Sequence, residues 1–218
     1  MSSESPFLLP DHLDYAEVVT DAAVHVLETH GVDRFSVSAM ARWMKVSPEA
    51  VLNAYSRSRV IEVVTICFCR RFLRWSLSDL DWIKSPTCPL RLPETSVERH
   101  GIRVLRALEE LAEGERVRGH PLPAQHLARL REDEAEALRS RLAQVSPVQF
   151  YQPVSEPDLR GLISLVRGLR TSLIDDPPRL TWAQACELCD RAVSSIASPG
   201  PDAPTTTSDL HPPHEPAA

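Results

Sequence analysis

The feature that most constrains this chain is a pair of short helices, predicted within residues 35–63, with a tight turn between them. Ser36 is a suitable N-cap for the first helix because its hydroxyl can accept from a free backbone N–H. An apolar repeat at the i, i+3, i+4, i+7 spacing of one helix face follows: Val37, Met40, Ala41 and Met44. Lys45 and Val46 are predicted to form the turn that ends it.

The second helix of the pair begins at a strong start signal. Ser47 is the predicted N-cap, and Pro48 follows at the first helical position, where its missing N–H costs nothing. The helix is about two turns long, with Val51 and Tyr55 directed inward, and Ser58 is predicted to cap a third, longer helix. Two short helices joined in this way predict a helix-turn-helix.

Composition supports an ordinary globular protein. The chain has 218 residues, 43% of them hydrophobic and 25% charged, which is enough to bury a sizeable core. The net charge of −6 argues against bulk, non-specific affinity for nucleic acid. No apolar run reaches the roughly 18 residues of a membrane span, and no secretion signal is present. We therefore expect a cytoplasmic protein that does not cross a membrane.

The remaining sequence also reads as helical, with no useful strand signal, so the predicted fold is all-α. We predict a flexible arm over residues 1–10, a helix-turn-helix domain over 11–60, a helical domain over 61–198 and a disordered proline-rich tail over 199–218. A glycine at 31 and a proline-rich loop after about residue 80 mark helix ends. Further helices are predicted from 95 to 114, from 127 to 145, from 159 to 173 and from 181 to 196, with residues 146–157 as a connector.

Three stretches of the N-terminal third match a known pattern: AAVHVLETHG at 22–31, FSVSAMARWMKVS at 35–47 and PEAVLNAYSRSRVIEV at 48–63. They resemble the DNA-binding domain of the tetracycline-repressor-like (TetR) family of transcriptional regulators. DLRGLISLVRGLR and LTWAQACELCDRAV resemble, more weakly, the two helices that form that family's dimer interface. The resemblance implies a homodimer that binds a palindromic double-stranded DNA operator and responds to a small-molecule effector, which the sequence does not identify.

The resemblance also implies a ligand pocket inside the helical regulatory and dimerisation domain. Apolar residues at helical spacing are candidates to line it: Phe68, Phe72, Trp75, Trp82, Val104, Leu108 and Leu127. The alternative is that this stripe is ordinary core. The candidate dimer residues lie on the last two helices: Leu162, Val166, Leu169, Leu188 and Ala192.

The recognition helix departs from the family pattern. Where the family usually has a glycine, a threonine and an aromatic-basic run, this chain has a different set: Glu49, Ala50, Leu52, Asn53 and Ala54. The family's lysine that contacts a phosphate is replaced by Ser58. Losing one such lysine weakens binding and lowers the salt dependence by about one unit.

Basic residues nevertheless outnumber acidic ones around the motif, as an operator-reading module requires. Arg42, Lys45 and Arg57 are candidate phosphate contacts, and Ser36 and Ser47 place hydroxyl and backbone donors at helix N-termini. For base reading, Asn53 fits adenine, Glu49 fits the amino group of cytosine, and Ala50 or Leu52 fits a thymine methyl group. The alternative for each is a solvated surface side chain.

Other chemistry finds little support in the sequence. Cys186 and Cys189 form a C-x-x-C on a predicted helix, which is compatible with core packing or with a thiol sensor, and no second pair stands at metal-ligand spacing. Three arginines, Arg70, Arg71 and Arg74, either pair with acidic neighbours or meet an anionic ligand. No catalytic or nucleotide-binding motif is present, so we expect no enzyme, no cofactor and no metal.

Two functions follow from these observations. The first is a DNA-binding regulator, in the simplest case a repressor that an effector releases from its operator. The second, motivated by Glu49 and Ser58, is a helical dimer of the same fold that has lost operator recognition and acts through protein–protein interaction.

Overall fold

In a computed structural model of the chain, the described residues are 12–77, 91–149 and 154–197, with side chains described over 15–77, 91–140 and 154–196. The predicted N-terminal arm, the predicted tail and Trp82 lie outside these ranges.

The described residues form α-helices, one short 3-10 turn and no strand, which confirms the all-α prediction. The helices are α1 (His12–His30), α2 (Val37–Met44), α3 (Pro48–Ala54), α4 (Arg57–Leu77), α5 (Ser96–Val117), α6 (Leu122–Gln149), α7 (Glu156–Ile174) and α8 (Trp182–Ala197). The 3-10 turn, Val32–Arg34, joins α1 to α2. None of the described helices combines the length and the apolarity needed to span a bilayer.

Local chemistry fixes several helix ends where the sequence predicts them. Gly31 follows α1 with a φ of 72°, a conformation that costs glycine nothing, and its N–H donates to the carbonyl of Leu27 at 3.0 Å. Thr95 and Glu98 form a capping box at the start of α5, in which each side chain accepts from the other residue's backbone N–H. Thr181 and Gln184 make the same reciprocal contacts at the start of α8.

The structure corrects three helix boundaries. Helix α4 begins at Arg57 and its cap is Ser56, whose hydroxyl accepts from the N–H of Arg59 at 3.4 Å, so Ser58 lies inside the first turn. Helix α5 continues past Gly114, since a glycine weakens a helix interior by about 1 kcal/mol without ending it. Helix α6 extends through residues 146–149, which the sequence predicted to be a connector.

Two large hydrophobic clusters hold the described helices together. The first joins α1–α4 to α5 and α6, with Val19, Met40 and Val64 fully buried on one side of it and Leu108 on the other. The second packs α7 and α8 against the single buried Leu138 of α6. The predicted domain boundary at residues 60–61 falls within α4, which is one continuous helix. This helix shares the first cluster with α5 and α6.

Candidate nucleic-acid interface and bundle cavity

The turn between α2 and α3 is held by backbone hydrogen bonds. The N–H of Lys45 donates to the carbonyl of Arg42 at 3.3 Å, and the N–H of Val46 donates to the carbonyl of Ala41 at 3.0 Å. Lys45 adopts the left-handed conformation with a φ of 59°, which closes α2 in one residue. This geometry leaves the side chains of Lys45 and Val46 exposed between the two helices.

Helix α3 has one buried and one exposed face, as its sequence predicts. Val51 is fully buried, and Tyr55 stacks on Tyr15 of α1 with ring centroids 5.9 Å apart. The candidate base-reading residues therefore face away from the protein: Glu49, Ala50, Leu52 and Asn53 are all exposed.

The two N-caps present hydroxyl groups at the start of α2 and α3. The Ser36 hydroxyl oxygen accepts from the N–H of Ala39, and that of Ser47 accepts from the N–H of Ala50, each at 3.2 Å. Both serines are exposed, and within the described chain neither hydroxyl donates a hydrogen bond. Each O–H is thus available to a phosphate oxygen.

The charges around α3 differ in their pairing. Four exposed cations near the motif form no ion pair with any described residue: Arg34, Arg42, Lys45 and Arg57. Arg59, by contrast, pairs with Glu62 of its own helix. Most of the described arginines from α4 to α8 form ion pairs, as Arg118 does with Glu115 and Arg131 with Glu109. Glu49 is also unpaired, in the first turn of α3 where the helix dipole favours a carboxylate.

A buried polar cluster ties α4, α6 and α7 together. The Arg170 guanidinium donates to Glu134 Oε1 at 2.8 Å and to Ser76 Oγ at 2.8 Å, and the Ser76 hydroxyl donates to the same Glu134 oxygen at 2.7 Å. The third Arg170 nitrogen donates to the carbonyl of Arg91 at 3.0 Å. The guanidinium also lies 5.3 Å from the ring centroid of Phe72. These contacts satisfy a charge that would otherwise be costly to bury.

A cavity of about 340 Å³ opens beside this cluster, between α5, α6 and α7. Its lining combines aliphatic and charged side chains: Ile102, Leu105, Arg106, Glu109, Leu127, Leu130, Arg131, Glu134, Arg167, Arg170, Thr171 and Ile174. Of the residues predicted to line a pocket, Leu127 borders this cavity. The others pack in the adjoining first hydrophobic cluster: Phe68, Phe72, Trp75, Val104 and Leu108.

The predicted dimer residues divide between two environments. Leu162, Val166 and Leu169 are at most 4% exposed and pack within the chain's own second cluster. Leu188 is 36% exposed on α8, and Ala192 is half-buried one turn further along. A surface for a second copy on these helices would therefore be made by outward residues such as Leu188 rather than by the buried face of α7.

The four cysteines that the structure describes are buried or half-buried. Cys189 is fully buried and Cys186 half-buried in the second cluster, while Cys67 and Cys69 are buried on α4. Burial, reinforced by Glu109 and Glu134, raises the pKa of the Cys69 thiol to about 12, which keeps it protonated and unreactive. Among the described residues, no group of potential ligands has the arrangement of a metal site.

The arginines of α4 that the sequence singled out behave differently from one another. Arg71 pairs with both Glu17 and Asp21 of α1, as the pairing hypothesis expected. Arg70 and Arg74 are exposed and form no ion pair with described residues.

The charged lining of the cavity was missed by the sequence reasoning, although a signal was present. Arg170 stands on the apolar stripe of α7, four residues after Val166 and three before Leu173. Glu134 likewise stands four residues after Leu130 and four before Leu138. A charged residue in register with a buried stripe must either find partners or line a cavity, and these two do both.

We compared the sequence and the fold with those of known proteins. No family model matches the chain, and no curated protein matches it. The structure is similar to the crystal structure of a transcriptional regulator from Rhodococcus sp. Rha1, with a TM-score of 0.65 over 83% of this chain and 95% of that one. The two chains share a fold. Their sequences are 20% identical, so the similarity concerns the fold itself.

Proposed function

We propose that this protein is a DNA-binding transcriptional regulator of the TetR type. In this proposal it is a homodimer that binds a palindromic operator and is released from it by a small-molecule effector. The observation that carries the proposal is the helix-turn-helix, where an exposed α3 is flanked by Arg34, Arg42, Lys45 and Arg57, all without ion-pair partners among the described residues. The fold shared with a transcriptional regulator supports the same conclusion.

Surface cations without an ion-pair partner are well suited to bind the phosphates of a DNA backbone. A cation that is already paired must break its ion pair before it can bind a phosphate, whereas these four residues exchange only water and counterions. Lys45 lies in the turn and Arg57 at the start of α4, on either side of α3 along the chain. We assign both to phosphate contacts, with Arg42 and the hydroxyls of Ser36 and Ser47 adding further donors.

Base reading is assigned to the exposed face of α3. Asn53 offers the amide pair that matches adenine, and Glu49 accepts from the amino group of cytosine. Ala50 and Leu52 supply apolar contact to thymine methyl groups. Glu49 repels phosphates unless it finds a cytosine, so it favours correct sites by penalising wrong ones.

The regulatory part of the proposal follows from two-fold symmetry. A homodimer presents two copies of α3, and these fit half-sites about 34–36 Å apart, one turn of DNA. The proposed effector binds more tightly to a dimer whose two helix-turn-helix motifs stand at a different spacing. Such a ligand shifts the dimer away from the conformation that fits the operator. In this form the regulator is a repressor, although the same coupling also serves an activator.

Selection of the purified 218-residue protein against a random duplex library tests the proposal. The expected result is an enriched palindrome whose affinity falls steeply with salt, with a slope of about −0.9 for each phosphate contacted. Failure to enrich any sequence at low salt, from protein shown to be folded, would overturn it.

A second function is favoured by one observation, the carboxylate of Glu49 on the surface that would face DNA. In that case the chain is a helical dimer of the same fold that acts through protein partners. The selection experiment separates the two functions, because the second predicts no recovered palindrome.

A further inference from the structure

One nitrogen atom of an arginine that lines the bundle cavity has no hydrogen bond. Nη2 of Arg167 is buried and forms no hydrogen bond within the described chain. The nearest carboxylate oxygen, Oε2 of Glu134, lies 3.8 Å away, which is too far for a hydrogen bond. Burial lowers the pKa of the Arg167 guanidinium, an effect that the Glu134 carboxylate opposes. The Arg167 side chain as a whole is 39% exposed, but a buried donor nitrogen without an acceptor is costly, and an anionic ligand bound to this guanidinium would offset that cost.

The other charged residues that line the cavity already have ion-pair partners. Arg131 pairs with Glu109 at 2.9 Å, and Arg170 pairs with Glu134 at 2.8 Å. Arg106 is 67% exposed and lies 4.0 Å from Asp175, so water screens most of its charge. The two glutamates are therefore balanced by two arginines, and of the two remaining cations in the described lining only Arg167 has a buried nitrogen without a hydrogen bond. This arrangement selects one negative charge rather than two.

Apart from Thr171, whose hydroxyl donates to the carbonyl of Arg167, the rest of the lining is aliphatic. It consists of Ile102, Leu105, Leu127, Leu130 and Ile174. The volume of about 340 Å³ is at the small end of the range for small-molecule pockets. A ligand that fits must therefore carry an apolar chain along with its one charge.

We infer that the cavity binds an aliphatic monocarboxylate, with the carboxylate on the Arg167 guanidinium and the chain against Leu105, Leu127 and Leu130. A guanidinium presents two parallel N–H groups that match the two oxygens of a carboxylate. A neutral molecule of the same shape leaves Arg167 unsatisfied, and a dicarboxylate places its second charge against leucine. The inference rests on the proposed function in one respect, that the bound acid is the effector.

The cavity is physically connected to the helix-turn-helix. Arg170, one helical turn from Arg167, donates to Ser76 near the end of α4. The first residue of the same helix is Arg57, about 29 Å away at 1.5 Å per residue. A carboxylate bound to Arg167 lies beside the Arg170–Glu134–Ser76 cluster, so its charge acts on the contacts that hold α4 to α6 and α7. Through these contacts, a ligand bound in the cavity would shift α4 and with it the helix-turn-helix.

Calorimetric titration of the full-length protein with sodium salts of saturated acids tests the binding step without DNA. Hexanoate, octanoate and decanoate are used below the concentrations at which they form micelles. Each added methylene should tighten binding by about fourfold until the cavity is full. 1-Octanol and the ten-carbon dicarboxylate sebacate should each bind at least tenfold more weakly than octanoate and decanoate respectively.

Two variants and a matched control locate the site. Arg167→Gln should weaken decanoate binding at least tenfold while leaving 1-octanol binding unchanged. Leu105→Phe, which narrows the cavity, should move the best chain length to a shorter acid. Arg160→Gln removes an exposed arginine of the same helix that does not line the cavity, and should bind decanoate as the wild type does. Equal binding by the Arg167→Gln and Arg160→Gln proteins, or equal affinity for octanoate and 1-octanol, would overturn the inference.

The effector role is measured separately, on the palindrome recovered by selection. Decanoate should weaken operator binding by wild-type protein and by the Arg160→Gln control, but not by the Arg167→Gln variant. Saturable binding of decanoate by a protein that selects no DNA would retain the ligand site and reject the regulator. Selection of a palindrome without any carboxylate binding would retain the regulator and reject the ligand site.

Discussion

Arg170 and Glu134 form an ion pair in the interior of the helical bundle, with 2.8 Å between Nη1 and Oε1 and 4% of each side chain exposed. The pair joins α7 to α6, and its bonds to Ser76 and to the carbonyl of Arg91 extend it to α4 and to the segment before α5. Every nitrogen of this guanidinium has an acceptor. The cluster therefore fixes how α4, α6 and α7 meet beside the cavity.

Replacing one member of this pair should be strongly destabilising. Arg170→Met leaves the Glu134 carboxylate buried with the Ser76 hydroxyl as its remaining short hydrogen bond, which should lower the free energy of unfolding by about 3–5 kcal/mol. Urea unfolding followed by circular dichroism measures the change. Arg160→Met, on the exposed face of α7, should change the free energy by less than about 0.5 kcal/mol.

A double replacement tests whether the loss comes from the unpaired charge. Glu134→Met combined with Arg170→Met removes both charges and should be more stable than Arg170→Met alone, although it removes more polar contacts. A double variant that is less stable by the sum of the two single losses would show that the pair contributes no coupling of its own.

The surroundings of Glu98, at the start of α5, shift the pKa of its carboxyl group. Burial alone would raise its pKa, but the N–H groups of Thr95 and Glu94, the Trp75 indole N–H and the charge of Arg91 lower it to about 2. The pKa of a free glutamate is 4.5, so the ionised form stabilises the fold fully above pH 4.5, and this stabilisation is lost as the pH falls towards 2.

Glu98→Gln should therefore be less stable than the wild type by about 1–2 kcal/mol at pH 7, and this difference should fall by about half at pH 3, with the remainder lost towards pH 2. Urea unfolding at pH 7, 5 and 3 gives the three values. Glu110→Gln is the control, since Glu110 is exposed on the same helix and forms no ion pair with a described residue. A difference for Glu98→Gln that stays constant from pH 7 to pH 3 would contradict the assigned environment.

How far the sequence specifies this fold depends on the range of the interactions. Gly31, the Thr95–Glu98 box and the Thr181–Gln184 contacts act within one turn of helix, so neighbouring residues are enough to specify each of them. The extension of α6 through residues 146–149 was not predicted, since a proline at 147 reads locally as a helix breaker.

The candidate sites divide in the same way. The exposed face of α3 follows from burying Val51 and Tyr55, so Glu49 and Asn53 were placed correctly from periodicity. The bundle cavity was not foreseen, because a gap between α5, α6 and α7 depends on how three helices pack and not on any one stripe. Apolar residues at helical spacing instead filled the adjoining core, as Leu108 does.

Arg57 and Arg70 provide a matched test of phosphate binding. Both are exposed arginines of α4 without an ion-pair partner in the described structure, and they lie about 20 Å apart along the helix. Arg57→Ala removes one phosphate contact in each half-site of the proposed dimer, so it should lower the salt slope of operator binding by about 1.8 and weaken binding to all sequences alike. Arg70→Ala should leave both the affinity and the slope unchanged. Fluorescence anisotropy of a labelled operator across a salt series measures both quantities.

Asn53 should behave differently from a phosphate contact. Asn53→Ala removes a pair of hydrogen bonds to one base in each half-site, so discrimination at that position of the half-site should fall by about 1–3 kcal/mol while the salt slope stays the same. Repeating the library selection with the variant identifies that position as one that becomes degenerate. A uniform loss of affinity across all sequences would assign Asn53 to the backbone instead.

Leu188 tests where two copies of the chain meet. It is 36% exposed on α8, whereas Leu162, Val166 and Leu169 of α7 are enclosed by the chain's own core. In the proposed dimer an arginine at position 188 would place a charge in an apolar interface, so Leu188→Arg should shift sedimentation from dimer towards monomer. Leu122→Arg replaces another exposed leucine, 46% exposed at the start of α6, and should sediment as the wild type does. If Leu188→Arg also sediments as the wild type, this face of α8 is not the interface. The monomer should still bind a half-site, but with a salt slope reduced by about half, because only one set of phosphate contacts is then made.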